Sequence, residues 1–173
     1  SVRDMIDGNF LYFFDQGQSL EAYKVFGAHL VKDDSGKNIA CEFCLYAPNA
    51  NRVELVGEWN DFKENQHELF CIDEKGIWYA KLEGDFEWQR YKYLITTKSG
   101  QKIYKADPYA FYSQIRPCQD SKVYDIEGYK SIKEYIEEGK EAFEAGYEEY
   151  TKLPIDINEV NLLLFTSGTT SMA

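Results

Sequence analysis

Long hydrophobic stretches are missing from this chain. No uninterrupted apolar run approaches the roughly 18 to 20 residues that a membrane-spanning helix needs. The first residues, Ser1-Val2-Arg3-Asp4, lack the basic and apolar sections of a secretory signal peptide. The sequence therefore predicts no membrane partner and a cytoplasmic location.

Positive charge is scarce as well. Lys and Arg total 19 against 30 Asp and Glu, which gives a net charge of −11, and the basic residues form no cluster. Such a chain repels phosphate backbones. We therefore expect no nucleic-acid partner.

Cysteine and histidine are few, with four and two copies. Cys41-Glu42-Phe43-Cys44 has the C-x-x-C form of some metal sites. On an extended strand, however, side chains three residues apart point to opposite faces, and Cys71 and Cys118 are single and distant. We predict buried free thiols in a reducing compartment, with no metal and no cofactor. Neither His29 nor His67 has a nucleophile partner recognisable in the sequence, so no catalytic residue is predicted.

The length limits the architecture. A chain of 173 residues that is 44% apolar can bury the core of one ordinary domain, with about forty residues left over. It is too short for a (β/α)8 barrel, which needs roughly 200 residues or more. We expect one principal domain with an appendage.

Short strands separated by turn-forming residues dominate the part of the chain that follows Tyr23. The predicted strands are Lys24 to Val31, Ile39 to Tyr46, Arg52 to Glu58, Glu68 to Ile72, Ile77 to Leu82, Trp88 to Thr97 and Lys102 to Lys105. Seven short strands with a turn about every 8 to 12 residues are typical of an immunoglobulin-like antiparallel β-sandwich, so the fold class is mainly β. Ahead of them, Met5 to Phe14 predicts a short helix or a turn-rich lead-in.

The composition changes near residue 130. Residues 131–173 contain nine acids against three bases. Ser131 and Glu134 form a capping box, and apolar residues follow at helical spacing. We expect this helix to end at Gly146 or shortly after, since Leu153-Pro154 prevents a long continuation. Val160 to Phe165 then predicts a strand.

The block from Ala47 to Phe62 joins a polar turn, an alternating strand and a loop with aromatic residues at its tip. Val53 and Leu55 alternate with Glu54 and Val56, which is a β pattern with one apolar face. Gly57 frees the backbone before the turn Trp59-Asn60-Asp61-Phe62. Such a block can present a flat ring to a sugar, or it can be an ordinary hairpin whose aromatic residues cap a core.

Three residues distant in sequence meet if the strands pair as a sandwich: Phe62, Lys92 and Tyr104. Two aromatic faces and an amine suit a carbohydrate, whose rings have apolar C–H faces and a belt of hydroxyls. If each ring removes about 50 Å² of apolar surface from water, it contributes about 1 kcal/mol, which gives binding near millimolar. Many copies of the sugar on a polymer compensate for such weakness.

Five blocks in this order carry a family resemblance. They are Gly27-Ala28-His29-Leu30, Tyr46-Ala47-Pro48-Asn49-Ala50, Val56-Gly57-Glu58-Trp59-Asn60-Asp61-Phe62, Tyr91-Lys92-Tyr93 and Lys105-Ala106-Asp107-Pro108-Tyr109-Ala110-Phe111. Over about Ser19 to Tyr129 the chain resembles the N-terminal β-sandwich of bacterial 1,4-α-glucan (glycogen) branching enzymes. That region is similar to a carbohydrate-binding module family that also occurs in isoamylases and in the glycogen-sensing subunit of AMP-activated kinase.

The resemblance implies a ligand and a set of residues that bind it. The ligand is an α-glucan such as glycogen or starch, or a maltooligosaccharide. The family loop usually reads Gly-Asp-Phe-Asn-Gly-Trp, which puts its sugar-stacking Trp on Phe62 and a second aromatic on Trp59, with Asn60 between them. The family's strand lysine falls on Lys92, and a second stacking ring falls near Tyr104. The paired carboxylates of the family lie in a catalytic barrel that these 173 residues do not include, so the module is expected to be non-catalytic and to bind glucan or to dock on that barrel.

A second resemblance concerns the last residues. Leu162 to Ser171 is similar to the phosphate-gripping loop of adenylate-forming enzymes such as acyl-CoA synthetases. Small residues let backbone N–H groups approach a triphosphate, and hydroxyls add donors. The implied vestigial phosphate-binding residues are Thr166, Ser167, Gly168, Thr169 and Thr170. The basic residue that closes the family motif is not within the chain, and a frayed Ser/Thr-rich terminus is the alternative.

These observations predict three segments: a lead-in at 1–18, a branching-enzyme-like carbohydrate-binding β-sandwich at 19–129, and a helix-strand-loop fragment resembling an AMP-binding enzyme at 130–173. The predicted function is a non-catalytic α-glucan-binding or barrel-docking module. The alternatives are a truncated ATP-dependent adenylate-forming ligase and a purely structural interaction domain. In the last case Tyr109, Phe111 and Tyr112 would be exposed for want of their partner.

Overall fold

The computed structural model describes residues 1–127 and 132–151. The chain divides into two compact units, Ser1–Glu127 and Gly128–Ala173. The first unit holds nine strands and the second holds a helix.

The first unit begins with a 3-10 turn and a short helix and continues as strands. These elements are a 3-10 turn at Val2–Met5, α1 at Gly8–Asp15, a 3-10 turn at Ala22–Lys24, β1 at Gly27–Lys32, β2 at Asn38–Tyr46, β3 at Ala50–Gly57, a 3-10 turn at Glu58–Asn60, β4 at Glu68–Cys71, β5 at Ile77–Glu83, β6 at Arg90–Thr97, β7 at Lys102–Lys105, β8 at Tyr112–Ser113 and β9 at Ser121–Lys122.

The strands form one curled antiparallel sheet in the order β1-β2-β5-β4-β3-β6-β9-β8, with β7 also beside β6. β4 changes neighbours midway: Glu68 and Leu69 pair with β3, whereas Phe70 and Cys71 pair with β5. The sheet therefore folds over on itself at β4 into two layers, one formed by β1, β2 and β5 and the other by β3, β6, β7, β8 and β9. The predicted mainly β, immunoglobulin-like antiparallel sandwich is confirmed.

The turn spacing located most strands correctly. All seven predicted strands are present, and their ends differ by three residues or fewer. The sequence did not predict β8 and β9, which have two residues each. In the predicted lead-in, α1 begins where the Asp7 side chain accepts a hydrogen bond from the Phe10 N–H at 2.8 Å.

Aromatic and aliphatic side chains fill the space between the two layers. Phe43, Leu55, Tyr91 and Tyr93 are all fully buried there. The Tyr91 and Tyr93 hydroxyls donate to the buried Asp107 carboxylate at 2.7 and 3.2 Å. These bonds supply the hydrogen-bonding partners that a buried carboxylate and two buried phenols require.

The other face of β2 is covered as well. A second apolar cluster lies there, made of Val2, Ala22, Val25, Phe26, Cys44 and Ile77, with Ile6, Phe10, Leu11 and Phe14 packed against it. Residues of the predicted lead-in thus pack on the sandwich. β2 therefore has buried residues on both sides.

The two thiols of the C-x-x-C segment lie on opposite faces of β2, as the strand alternation predicts. Cys41 belongs to the cluster between the layers and Cys44 to the cluster outside them. All four cysteines are free thiols, but Cys71 and Cys118 are exposed, so the prediction of burial is wrong for those two. No group of three or more potential metal ligands occurs within residues 1–127 and 132–151.

The second unit is described through one helix, α2 at Ile132–Thr151. It extends beyond the predicted end near Gly146, because an internal glycine lowers helix stability by only about 1 kcal/mol and does not break the backbone hydrogen bonds. The predicted capping residue Ser131 and the predicted strand Val160 to Phe165 lie outside the described residues. No helix in the described part of the chain is long and apolar enough to cross a membrane.

Candidate functional site

The loop after β3 begins with a close contact between Gly57 and an indole ring. A Cβ added at Gly57 would lie 2.5 Å from a ring carbon of Trp59 and 2.7 Å from the Arg90 carbonyl oxygen. Gly57 itself is extended, with φ −164°. The expectation that this glycine frees the backbone is therefore wrong, because what the site requires is space for the ring.

Trp59 packs inwards. Its ring centre lies 5.1 Å from that of Phe86 and 5.8 Å from that of Phe43, both of which belong to the interlayer core. Most of its ring therefore serves to close one end of the core.

Asn60 is buried and braces the loop with its amide. The Oδ1 atom accepts from the Gly57 N–H at 2.9 Å, and the Nδ2 atom donates to the Leu55 and Lys63 carbonyl oxygens at 3.3 and 3.2 Å. Three backbone groups that would otherwise lack partners are satisfied by one side chain. Asn60 acts here as a positioning residue.

Phe62 stands at the tip of the loop. Asp61 and Phe62 both have left-handed backbone angles, with φ of 52° and 56°, a conformation that is uncommon for residues other than glycine. The Phe62 N–H donates to the Gly57 carbonyl at 2.9 Å. The centre of its half-buried ring lies 5.7 Å from the Arg90 guanidinium carbon. The Arg90 Nε atom in turn donates to the Glu58 Oε1 atom at 2.8 Å.

Lys92 lies on β6, on the face opposite the buried Tyr91 and Tyr93. Its Nζ atom forms an ion pair with Asp120 at 2.8 Å. Asp120 is buried and also lies 3.6 Å from Arg90. Asp120 could not be predicted from the sequence as this partner, because it lies 28 residues after Lys92 and no local pattern marks it.

Tyr104 shares that face. It pairs with Leu94, which is two residues from Lys92 on β6, so both side chains project from the same side of the sheet. The ring is 49% exposed, and its hydroxyl donates to Glu64 at 2.9 Å, which raises the pKa of Tyr104. Lys102 also binds Glu64, and the pKa of the Glu64 carboxyl is lowered by Lys102 first and by Tyr104 second.

The five predicted site residues thus divide into two groups. Phe62, Lys92 and Tyr104 lie along one outer sheet face, whereas Trp59 and Asn60 support the loop from within. Fold and surface together define the class: a β-sandwich module of immunoglobulin-like type with aromatic rings on an outer sheet face.

Comparison with known proteins specifies the family. Residues 25–110 match the model of carbohydrate-binding module 48, the isoamylase N-terminal domain. The chain is 39% identical over 120 residues to the 1,4-α-glucan branching enzyme of Bacillus caldolyticus, covering 69% of this chain and 18% of that protein. It is 40% identical over 119 residues to the branching enzyme of Bacillus subtilis (strain 168), covering 69% and 19%. The pullulanase of Bacillus acidopullulyticus superposes with a TM-score of 0.48 at 22% identity, over 62% of this chain and 12% of that one.

Residues 25–110 thus match a carbohydrate-binding module family, and this part of the chain is homologous to part of the 1,4-α-glucan branching enzymes. The chain spans about a fifth of the length of these curated relatives. The resemblance to the branching-enzyme sandwich is confirmed. The predicted phosphate loop, Thr166 to Thr170, lies outside both the matched and the described residues.

Proposed function

We propose that this chain acts as a non-catalytic α-glucan-binding module whose ligand is glycogen, starch or a maltooligosaccharide. The observation that carries the proposal is the placement of Phe62, Lys92 and Tyr104 on one outer face of the sheet. The family match over residues 25–110 supports it.

The charges on this face favour a neutral ligand. Lys92 is paired with Asp120, and Arg90 with Glu58, so little net charge is left to attract an ion. A pyranose ring stacks on Phe62 or Tyr104 through its C–H face, while the Lys92 amine and the Tyr104 hydroxyl reach its hydroxyls. Each ring contributes about 1 kcal/mol, so the affinity depends on repeated sites along the polymer.

Affinity electrophoresis through glycogen tests the proposal. We expect the wild-type chain to be retarded, Phe62→Ala and Lys92→Ala to be retarded less, and Phe62→Trp to be retarded more because the larger ring covers more of the sugar. Phe13→Ala is the matched control, since Phe13 is an exposed ring on α1, away from this face. Unretarded migration of the folded wild-type chain would exclude glucan binding.

The proposed protein partner is the catalytic barrel of a branching-enzyme-type protein. The chain covers 18 to 19% of its branching-enzyme relatives, and a module of this kind can dock on the barrel as well as hold substrate. We place it in the cytoplasm, since all four cysteines are free thiols.

The adenylate-forming alternative depends only on residues 162–171. The family match at residues 25–110 does not extend to that segment. A calorimetric titration of the chain with ATP separates this alternative from the module: we expect no heat of binding, and measurable heat would support the ligase fragment.

A further inference from the structure

A second group of aromatic rings lies beyond the Phe62 site. Trp88, Tyr112 and Tyr124, here called the aromatic trio, are in mutual contact, with ring centres 5.4 Å apart for Trp88–Tyr112, 5.1 Å for Trp88–Tyr124 and 5.7 Å for Tyr112–Tyr124. Trp88 meets both tyrosines edge to face, so the three rings fix one another. No residue of the trio is among the five predicted site residues.

Trp88 is held outwards by a strained backbone. Its φ is 66° and its residue is 50% exposed; a bulky side chain in the left-handed region costs free energy. The Trp88 N–H donates to the Val123 carbonyl at 2.8 Å, and the Val123 N–H donates to the Gln89 carbonyl at 3.0 Å. These two bonds keep the unfavourable conformation in place and present a large apolar ring to solvent.

The trio lies on the same sheet face as the Phe62 site. Tyr112 on β8 is opposite Lys122 on β9, and Lys122 is opposite Arg90 on β6. Directly opposed residues on neighbouring strands project to the same side, and the Arg90 guanidinium lies over the Phe62 ring. A continuous row therefore runs across the strands from Trp88 to Phe62, and Tyr112 and Arg90 are two strand spacings, or about 10 Å, apart.

We infer that the aromatic trio is a second platform for the same α-glucan chain, so that chains long enough to reach both Phe62 and Trp88 bind more tightly than short ones. This inference rests on the proposed glucan-binding function. The ligand chemistry follows from the row itself: Lys122 lies 5.9 Å from the Tyr112 ring centre and offers an amine next to the rings. A glucan can stack its sugar rings on the aromatic rings and accept a hydrogen bond from the Lys122 amine. An apolar protein surface would instead bury the Lys122 charge, which costs free energy.

The test compares maltotriose and maltoheptaose by calorimetry on the full chain. The main variant is Trp88→Asn, because Asn tolerates the left-handed backbone and removes the ring. We expect the maltoheptaose affinity to fall by about five- to tenfold, which is the value of one stacked ring. The maltotriose affinity should change by less than about twofold, since a short chain still occupies the Phe62 site.

Two controls keep the result specific. Trp88→Phe retains a ring and should restore most of the lost affinity. Phe70→Asn removes an exposed ring on β4, where Phe70 pairs with Tyr79 on β5, and should leave both affinities unchanged. Iodide quenching is the second readout: Trp88 is half exposed, whereas Trp78 is only 7% exposed and Trp59 is partly buried against the core. Bound maltoheptaose should therefore protect the quenchable fluorescence of the wild type more than that of Trp88→Asn.

The outcomes separate the two proposals. If Trp88→Asn binds maltoheptaose as well as the wild type does while Phe62→Ala binds it less well, the second platform is wrong and the proposed function stands. If Trp88→Asn leaves sugar binding intact but reduces self-association, the trio is a protein contact instead. If the folded wild type binds neither sugar, both proposals fail.

Discussion

A single amide determines the shape of the ring-bearing loop. Asn60 satisfies the Gly57 N–H and the carbonyls of Leu55 and Lys63, and the left-handed residues Asp61 and Phe62 follow it directly. Neither the strand before the loop nor the aromatic residue at its tip can replace these bonds. The position of the Phe62 ring therefore depends on a residue that is itself buried.

We expect Asn60→Ala to lower the free energy of unfolding by about 2 to 3 kcal/mol, because it leaves buried backbone groups without partners. Urea denaturation measures the change. Asn51→Ala, at an exposed position on β3, is the matched control and should change stability by less than about 0.5 kcal/mol. Equal stabilities for the two variants would contradict the role given to the Asn60 amide.

A pH dependence follows from Asp107. Burial raises the pKa of its carboxyl above the ordinary value, in spite of hydrogen bonds from Tyr91, Tyr109 and Tyr93. A raised pKa in the folded state adds stability at low pH, and this stability is lost as pH rises through the folded value. The free energy of unfolding of the wild type minus that of Asp107→Asn should therefore fall as pH rises from below 3.8 to neutral. If this difference stays constant or rises over the same range, burial does not raise the pKa of the Asp107 carboxyl in the folded protein.

At the scale of elements, the outer face of β2 depends on the residues that precede the sheet. Phe14 on α1 lies 4.9 Å from the Phe26 ring and 5.1 Å from the Tyr46 ring, and Phe26 is fully buried. The N-terminal helix thus covers apolar surface that would otherwise face water.

Neighbouring residues of α1 provide a direct test of this cover. Phe14→Ala should lower the free energy of unfolding by about 2 to 3 kcal/mol, because it opens a cavity in a packed cluster. Phe13→Ala, at an exposed position in the same helix, should change it by less than about 0.5 kcal/mol. Thermal unfolding of both variants measures the contrast, and similar losses would mean that α1 does not pack on the sheet as described.

The elements also show how far the sequence could predict the structure. Turn residues and alternation located β1 to β7 and placed Cys41 and Cys44 on opposite faces, because these signals are local. β8 and β9 are too short for a periodic pattern, and their pairing joins residues distant in sequence. The same holds for the candidate site: the sequence predicted that Phe62 and Lys92 would lie near each other on the sandwich, but whether a ring points outwards, as for Trp88, or inwards, as for Trp59, depends on tertiary packing.

At the scale of the whole molecule, the four thiols report on the integrity of the sandwich. Burial raises the pKa of the Cys41 and Cys44 thiols, whereas Cys71 and Cys118 are exposed. Only a thiolate that solvent can reach reacts with a disulfide reagent.

We therefore expect two equivalents of thiol to react rapidly in the native chain and four in denaturant, as measured by the absorbance of a released aromatic thiolate. Cys71→Ser combined with Cys118→Ser should abolish the rapid phase. Rapid reaction of all four thiols under native conditions would show that β2 is accessible to solvent.

The pairing of β4 has a consequence for the mechanics of the sandwich. This strand of four residues pairs through its first half with one layer and through its second half with the other. If the proposed glucan binds at Phe62, any tension on it acts on the β3–β6 layer, and β4 joins that layer to the one that packs against α1. We therefore expect β4 to couple the two layers mechanically, so that the sandwich would bear such a load as one body.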